Sequence, residues 1–249
     1  MFRRFPHIAA ASLAALTIGL SACSNATPTS SPSADQQSAS QGSPAANASG
    51  SSQSSPGATN PENTAGPRQK AADPDLSSKV LTGEVAGVTL KKMDQLPDME
   101  NAVQGTDVQV EPANCLSTGI TQLGAGAMAM TQNGVESVLL SSDATAPGKY
   151  KEYAQRCASA SGTVSGSPFK QSIETQQVPA VDGVNDLVAV ANSSESSING
   201  KALNAKAYLL IGSLNGTTII AQSTTLTGQE PSQETVTELF KAQVEKLKG

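Results

Sequence analysis

Thiols carry most of the reactive chemistry open to this chain of 249 residues, and there are three of them: Cys23, Cys115 and Cys157. A thiol can accept an acyl or alkyl group, pair as a disulfide, cycle between redox states or ligate a metal, and its neighbours decide which. His7 is the only histidine, and it lies in a stretch with the layout of a secretory signal. Arg3 and Arg4 supply a positive start, residues 8–20 an apolar run too short to span a bilayer comfortably, and small residues close it. With that signal removed, no imidazole is left to act as general base, proton shuttle or metal ligand. Ser-His-Asp and Cys-His catalysis are thereby excluded, as are zinc sites built on histidine. Two remaining cysteines are too few for an all-thiolate metal site. The expectation is a protein with no catalytic residues, no metal and no cofactor.

Cys23 closes the tetrapeptide Leu20-Ser21-Ala22-Cys23, which resembles the lipobox of bacterial lipoproteins. The resemblance implies that residues 1–22 are a lipoprotein signal peptide. It also implies that Cys23 receives a diacylglyceryl thioether (palmitate being a usual chain) and becomes the first residue of the mature protein. Two or more acyl chains hold a protein stably on a membrane, so the address is the cell membrane, lipid-anchored, on its extracytoplasmic face. From residue 24 to residue 75 no Val, Ile, Leu, Met, Phe, Tyr or Trp occurs. Such a segment cannot bury enough apolar surface to offset the entropy of ordering its backbone. Residues 23–75 are therefore expected to be the lipidated cysteine followed by a disordered Ser/Ala/Pro-rich tether. Its reach is about 40 Å for roughly fifty residues.

Cys115 and Cys157 stay behind as an even pair in an exported, disulfide-permissive setting, and a bridge is the simplest outcome. It would close a loop of about forty residues, worth roughly 4 kcal/mol on the chain-entropy model. A redox role calls for thiols two apart at a helix start, and these are far apart in sequence. Loss of Arg3 and Arg4 with the signal takes the formal charge from −5 to −7. Such an acidic protein has no electrostatic footprint for nucleic acid.

The elements that must hold this pair are legible in part. Residues 84–249 have the length of one domain. Residues 112–116 read as a short helix opened by Pro112. Residues 149–157 read as a second, with Tyr150, Tyr153, Ala154 and Cys157 at i, i+3, i+4 and i+7 on one inner face. Residues 125–131 and 135–141 flank Asn133-Gly134, and 205–213 and 217–225 flank Asn215-Gly216. Asn-Gly supplies the positive φ angles of a type I′ turn, so both read as antiparallel hairpins. Residues 187–192 form another strand-length apolar run, and 163–178 one or two weaker strands. Both faces of 208–211 and 218–221 are apolar, which places that hairpin centrally with helices against one side. Val236, Leu239, Phe240, Val244 and Leu247 stripe a C-terminal helix, with glutamates toward its start and lysines toward its end. Asp182-Gly183-Val184-Asn185-Asp186 lacks the spaced oxygens of a calcium loop and reads as a turn before a strand.

Taken in order, these features are similar to the extracellular sensor domain of the mycobacterial Ser/Thr kinase PknH and its free-standing actinobacterial lipoprotein relatives. The features are the lipobox, the tether, Pro112 to Cys115, a hairpin, a helix ending in Cys157, antiparallel strands and an amphipathic C-terminal helix. This chain departs from the kinase sensor, which looks like a two-disulfide module, in having a single pair, and it carries no kinase domain and no transmembrane helix. The resemblance implies an α+β fold, an antiparallel sheet of about five to six strands with helices packed on one side. It also implies a groove between sheet and helices for an extracellular ligand, with no binding residue carried over. The function expected is a non-catalytic, extracytoplasmic ligand-binding or sensor domain, not an enzyme, whose ligand is apolar or amphipathic, a lipid or envelope glycolipid. Met128 and Met130, alternate residues of one strand, would share a face toward core or ligand. The alternative is an envelope structural or protein-docking module whose partner is another protein.

Overall fold

Asn215 and Gly216 both have positive φ, 50° and 81°, and reverse the chain in two residues as a right-twisted hairpin requires. The two strands they join lie at the centre of the fold. In the computed structural model, residues 69–99, 107–120, 122–198 and 201–249 are described. The signal peptide, Cys23 and the expected tether as far as residue 68 lie outside the described residues.

In chain order the elements begin with β1 (Gln69–Ala71), α1 (Pro74–Lys79), β2 (Gly83–Val85), β3 (Val88–Lys92), β4 (Gln95–Pro97) and β5 (Val108–Glu111). Next come β6 (Leu123–Met130), β7 (Gly134–Ser141), α2 (Ala146–Arg156), β8 (Ser159–Val164) and β9 (Ser167–Gln176). The last are β10 (Asn185–Ile198), β11 (Lys201–Leu214), β12 (Thr217–Thr225) and α3 (Gln233–Lys248). β1 and α1 precede residue 84, where the sequence places the start of the domain, and Leu76, Val80 and Leu81 of this stretch are buried.

The fold is α+β. Its main sheet has ten strands in the order β2-β3-β6-β7-β12-β11-β10-β9-β8-β5, and β1 pairs with β4 in a separate two-stranded ladder. Every ladder in both sheets is antiparallel. Ten strands replace the five to six expected. The additional ones include β2, β3 and β5, only three to five residues long and of mixed polarity, too short to show a period.

The expectation of helices on one side is also corrected. One core gathers Leu96, Leu139, Tyr153, Ile173, Leu209 and Ile220, and α2 belongs to it. The other gathers Leu76, Val138, Leu210, Ile219, Leu239 and Phe240, under α1 and α3. Leu209 and Leu210 are neighbours in sequence and so point to opposite faces. Strands apolar on both faces require cover on both, and the helices divide accordingly.

The hairpin of β6 and β7 forms as expected but not by a type I′ turn at its Asn-Gly pair. Gly134 is not among the positive-φ residues. It already stands in β7 opposite Thr225, where a Cβ would lie 1.8 Å from the Thr224 carbonyl oxygen. A close strand approach, not a turn angle, demands glycine there. The short helix expected at Pro112 is a turn instead. Asn114 sits at φ 66°, a left-handed conformation that ends a helical path after one turn.

Candidate functional site

α2 starts from an anchored corner. The Asp143 carboxylate accepts from Lys149 Nζ at 2.7 Å and from Thr145 N–H and Oγ1 at 2.9 and 2.6 Å, and Lys149 above all holds it below the ordinary carboxylate range. Thr218 Oγ1 of β12 donates to the Asp143 carbonyl at 2.7 Å, tying the corner to the sheet. Tyr150, Tyr153, Ala154 and Cys157 then turn inward and are all buried, as their spacing predicts. Cys157 is bridged to Cys115, so the helix end is stapled to the turn after β5. Tyr153 adds a second tie, its hydroxyl donating to the Cys115 carbonyl at 3.1 Å and accepting from Gln171 Nε2 at 2.9 Å. The rings of Tyr150 and Tyr153 lie 5.5 Å apart, tilted by 48°. Burial pushes both phenols above their usual range, so they remain uncharged.

On the side of the sheet that α2 covers, the core is not wholly apolar. Side chains two apart on a strand share a face, so Ser137 and Gln222 lie on the face of Leu139 and Ile220. By the same rule Asn192, Ser194 and Ser196 follow Val190, and Gln171 accompanies Ile173. The ladders set them side by side: Ser137 opposite Gln222, Ser194 opposite Gln171 and Asn192 opposite Ile173. Ser137, Gln171, Asn192, Ser194 and Gln222 are each at most 5% exposed. Ser137 Oγ, Gln222 Oε1, Asn192 Oδ1, Ser194 Oγ, Ser196 Oγ and Gln171 Oε1 are buried without a hydrogen-bond partner. The amide groups of two of these residues are engaged, Gln171 Nε2 with Tyr153 and Gln222 Nε2 with Thr224 Oγ1 at 2.7 Å. Buried polar atoms in folded proteins nearly always have partners, ordered water included, and these six have none among the protein's own atoms.

The opposite face carries a polar cluster at the start of α3. Ser223 Oγ donates to Glu136 Oε1 at 2.8 Å and accepts the backbone N–H of Ser232, the N-cap of α3, at 3.3 Å. Glu136 Oε2 is buried without a partner. Desolvation therefore raises the carboxyl above its ordinary value, opposed by the Ser223 hydrogen bond.

Of the residues singled out by sequence, Cys115 and Cys157 are brought together, and Cys23 lies outside the described residues. Met128 is half-buried and Met130 is 58% exposed. Among the described residues no group of three or more His, Cys, Asp or Glu is placed to hold a metal ion. No helix among them is long and apolar enough to cross a membrane. The polar layer and Glu136 were not foreseen. The parity of Asn192, Ser194 and Ser196 with Val190 was the signal that held them.

Neither a family model nor a curated protein matches the chain. A solved structure to which it is similar is the X-ray structure of an uncharacterised protein from Mycobacterium smegmatis, an Rv0999 ortholog. Identity is 16% and the TM-score 0.38, over 65% of this chain and 87% of that one.

Proposed function

We propose that this chain is a membrane-anchored extracytoplasmic lipoprotein. Its domain, of the PknH-sensor kind, holds an apolar or amphipathic ligand, a lipid or envelope glycolipid, without transforming it. The observation that carries this reading is the layer on α2's side of the sheet, where an apolar core is interrupted by polar atoms that lack protein partners. Each such atom costs about 1–3 kcal/mol unless something meets it. A ligand with an apolar body against the core and a polar end at the layer would recover that cost. The disulfide and the Tyr153 hydrogen bonds support the same reading, because they fix the helix above the layer and a preorganised site loses less on binding. The lipobox at Cys23 supports the membrane address, and the lack of any histidine after His7 supports binding over catalysis.

Native mass spectrometry of the full chain, extracted in mild detergent from its own host membrane, tests the proposal. The expected spectrum shows non-covalent mass of lipid character, present in the Cys23→Ala protein as well and so distinct from the covalent anchor. Protein that carries only its own covalent acyl groups, at every detergent condition that preserves the fold, overturns it.

A further inference from the structure

We infer that the start of α3 is a proton-dependent cover, closed over Glu136 while that carboxyl is protonated and loosened once it carries its charge. A relay across three elements joins the two. Glu136 of β7 is 7% exposed. Its Oε1 accepts from Ser223 Oγ of β12, and Ser223 Oγ accepts the backbone N–H of Ser232, the N-cap of α3. The cap of the helix thus sits two hydrogen bonds from a carboxyl group that is nearly out of water. Glu136 Oε2 has no hydrogen-bond partner among the described residues. The charged form therefore exchanges its hydration for a single hydrogen bond while the cover is shut, and it is penalised. With the start of α3 lifted, water reaches both oxygens and the penalty is gone.

Neighbouring charges do not offset that penalty. On β6, Ala129 stands opposite Glu136. Lys92 of β3 is exposed and lies two strands over, opposite Ala127. On β11, Tyr208 stands opposite Ser223 and Lys206 opposite Thr225. Burial holds the Tyr208 phenol above its usual range and so uncharged, and Lys206 is paired with Glu230 ahead of α3. Glu234 and Glu238 of α3 are exposed and of the same sign as Glu136. Desolvation accordingly raises the Glu136 carboxyl, against the pull of Ser223. A group that binds its proton more tightly in the closed form favours closure at low pH, and that preference is lost as pH rises through the raised value. The far end of α3 is held to the backbone at Lys79 and Leu81 by Gln243. Its start is tied through Ser223, through Thr225 Oγ1 to the Gln229 carbonyl, and through the partly exposed Lys206–Glu230 pair, so the start is the end that lifts.

The experiment is hydrogen–deuterium exchange of the full chain in detergent, read by mass spectrometry from mildly acidic to neutral pH with the intrinsic effect of pH divided out. In the wild type, residues 226–236 should exchange faster than the central hairpin, by a local opening. Their protection should fall severalfold as pH rises, while residues 146–150 at the start of α2 show no such fall. Glu136→Gln, which cannot charge, should keep residues 226–236 protected across the range. Ser223→Ala removes the hydrogen bond that favours the charge and should move the wild-type transition to higher pH, a second readout should Glu136→Gln fail to fold. Protection of residues 226–236 that does not change with pH overturns the inference. So does a Glu136→Gln protein with the wild-type pH dependence, or a Ser223→Ala transition that stays in place or moves down. Exchange of residues 226–236 only at the slow rate of the central hairpin also overturns it, because the segment would then open only with the whole fold.

Discussion

Glu136 has one carboxylate oxygen met by Ser223 and one met by nothing, and its carboxyl is raised because burial disfavours the charge. A raised carboxyl means that the folded protein holds this proton more tightly than the unfolded chain does. The charge therefore burdens the fold fully at neutral pH, and the burden lifts as pH falls through the raised value. Glu136→Gln should stabilise the domain at neutral pH by on the order of 1 kcal/mol and flatten this part of its pH dependence. Urea unfolding of both proteins from neutral to mildly acidic pH measures it, and a variant less stable than wild type at neutral pH refutes the argument. At this scale the cysteines were legible, because their number and setting constrain them. Glu136, Gln171 and Asn192 were not: a polar residue facing inward contradicts the pattern from which sequence is read, and only register places it.

Elements were legible where a long period or a strong turn announced them. The α2 face, the α3 stripe and the hairpin through Asn215-Gly216 belong to that class. Residues 163–178, read as one or two weak strands, are the end of β8 and all of β9. Alternation there is diluted by serine and glycine. The turn at Pro112 escaped because a five-residue segment is governed by a single backbone angle, that of Asn114. Two expectations belong to this scale. Cys115→Ser or Cys157→Ser alone should cost about 2–5 kcal/mol, and the double variant little more than either, since one bond is lost in each case. Denaturant unfolding of the three proteins checks this; additive losses would mean that the thiols act separately. Phe240, fully buried between α3 and the sheet, should cost about 3–5 kcal/mol on truncation to alanine. That loss would lower the melting temperature by several degrees or more, and an unmoved melting point would contradict the packing.

For the whole molecule, the α+β class was legible and the extent of the sheet was not. Central strands declare themselves by burial on both faces, while edge strands are short and half-polar because they end against solvent. Apolarity on both faces of 208–211 also implied cover on both sides, an implication that the single-sided expectation did not follow through. Address is a property of the whole chain too. On the proposed lipidation, Cys23→Ala should abolish incorporation of labelled palmitate and move the protein from the membrane to the soluble fraction. Retention of the substituted protein as firm as wild type would refute the anchor.

Gln243 occupies a core position of α3 with no exposure at all. Its Oε1 accepts the Leu81 N–H at 2.7 Å and its Nε2 donates to the Lys79 carbonyl at 2.9 Å, while Lys246 Nζ donates to the Val80 carbonyl at 2.9 Å. The last helix thus grips the backbone just behind α1, near where the described chain enters the fold, and this has a mechanical consequence. Tension drawn through Gln69 loads the β1–β4 ladder and the Asp73 N–H bond to the Gly124 carbonyl first, and then runs along α1 to that grip. Pulling between Gln69 and the central sheet should therefore free β1 and α1 and then strip residues 79–81 from α3 before the central hairpins part, and Gln243→Ala should lower the force of that second step in an optical trap. A protein hung from its N-terminal side would have a fuse near its point of suspension, one that gives way while the stapled core beside α2 stays closed.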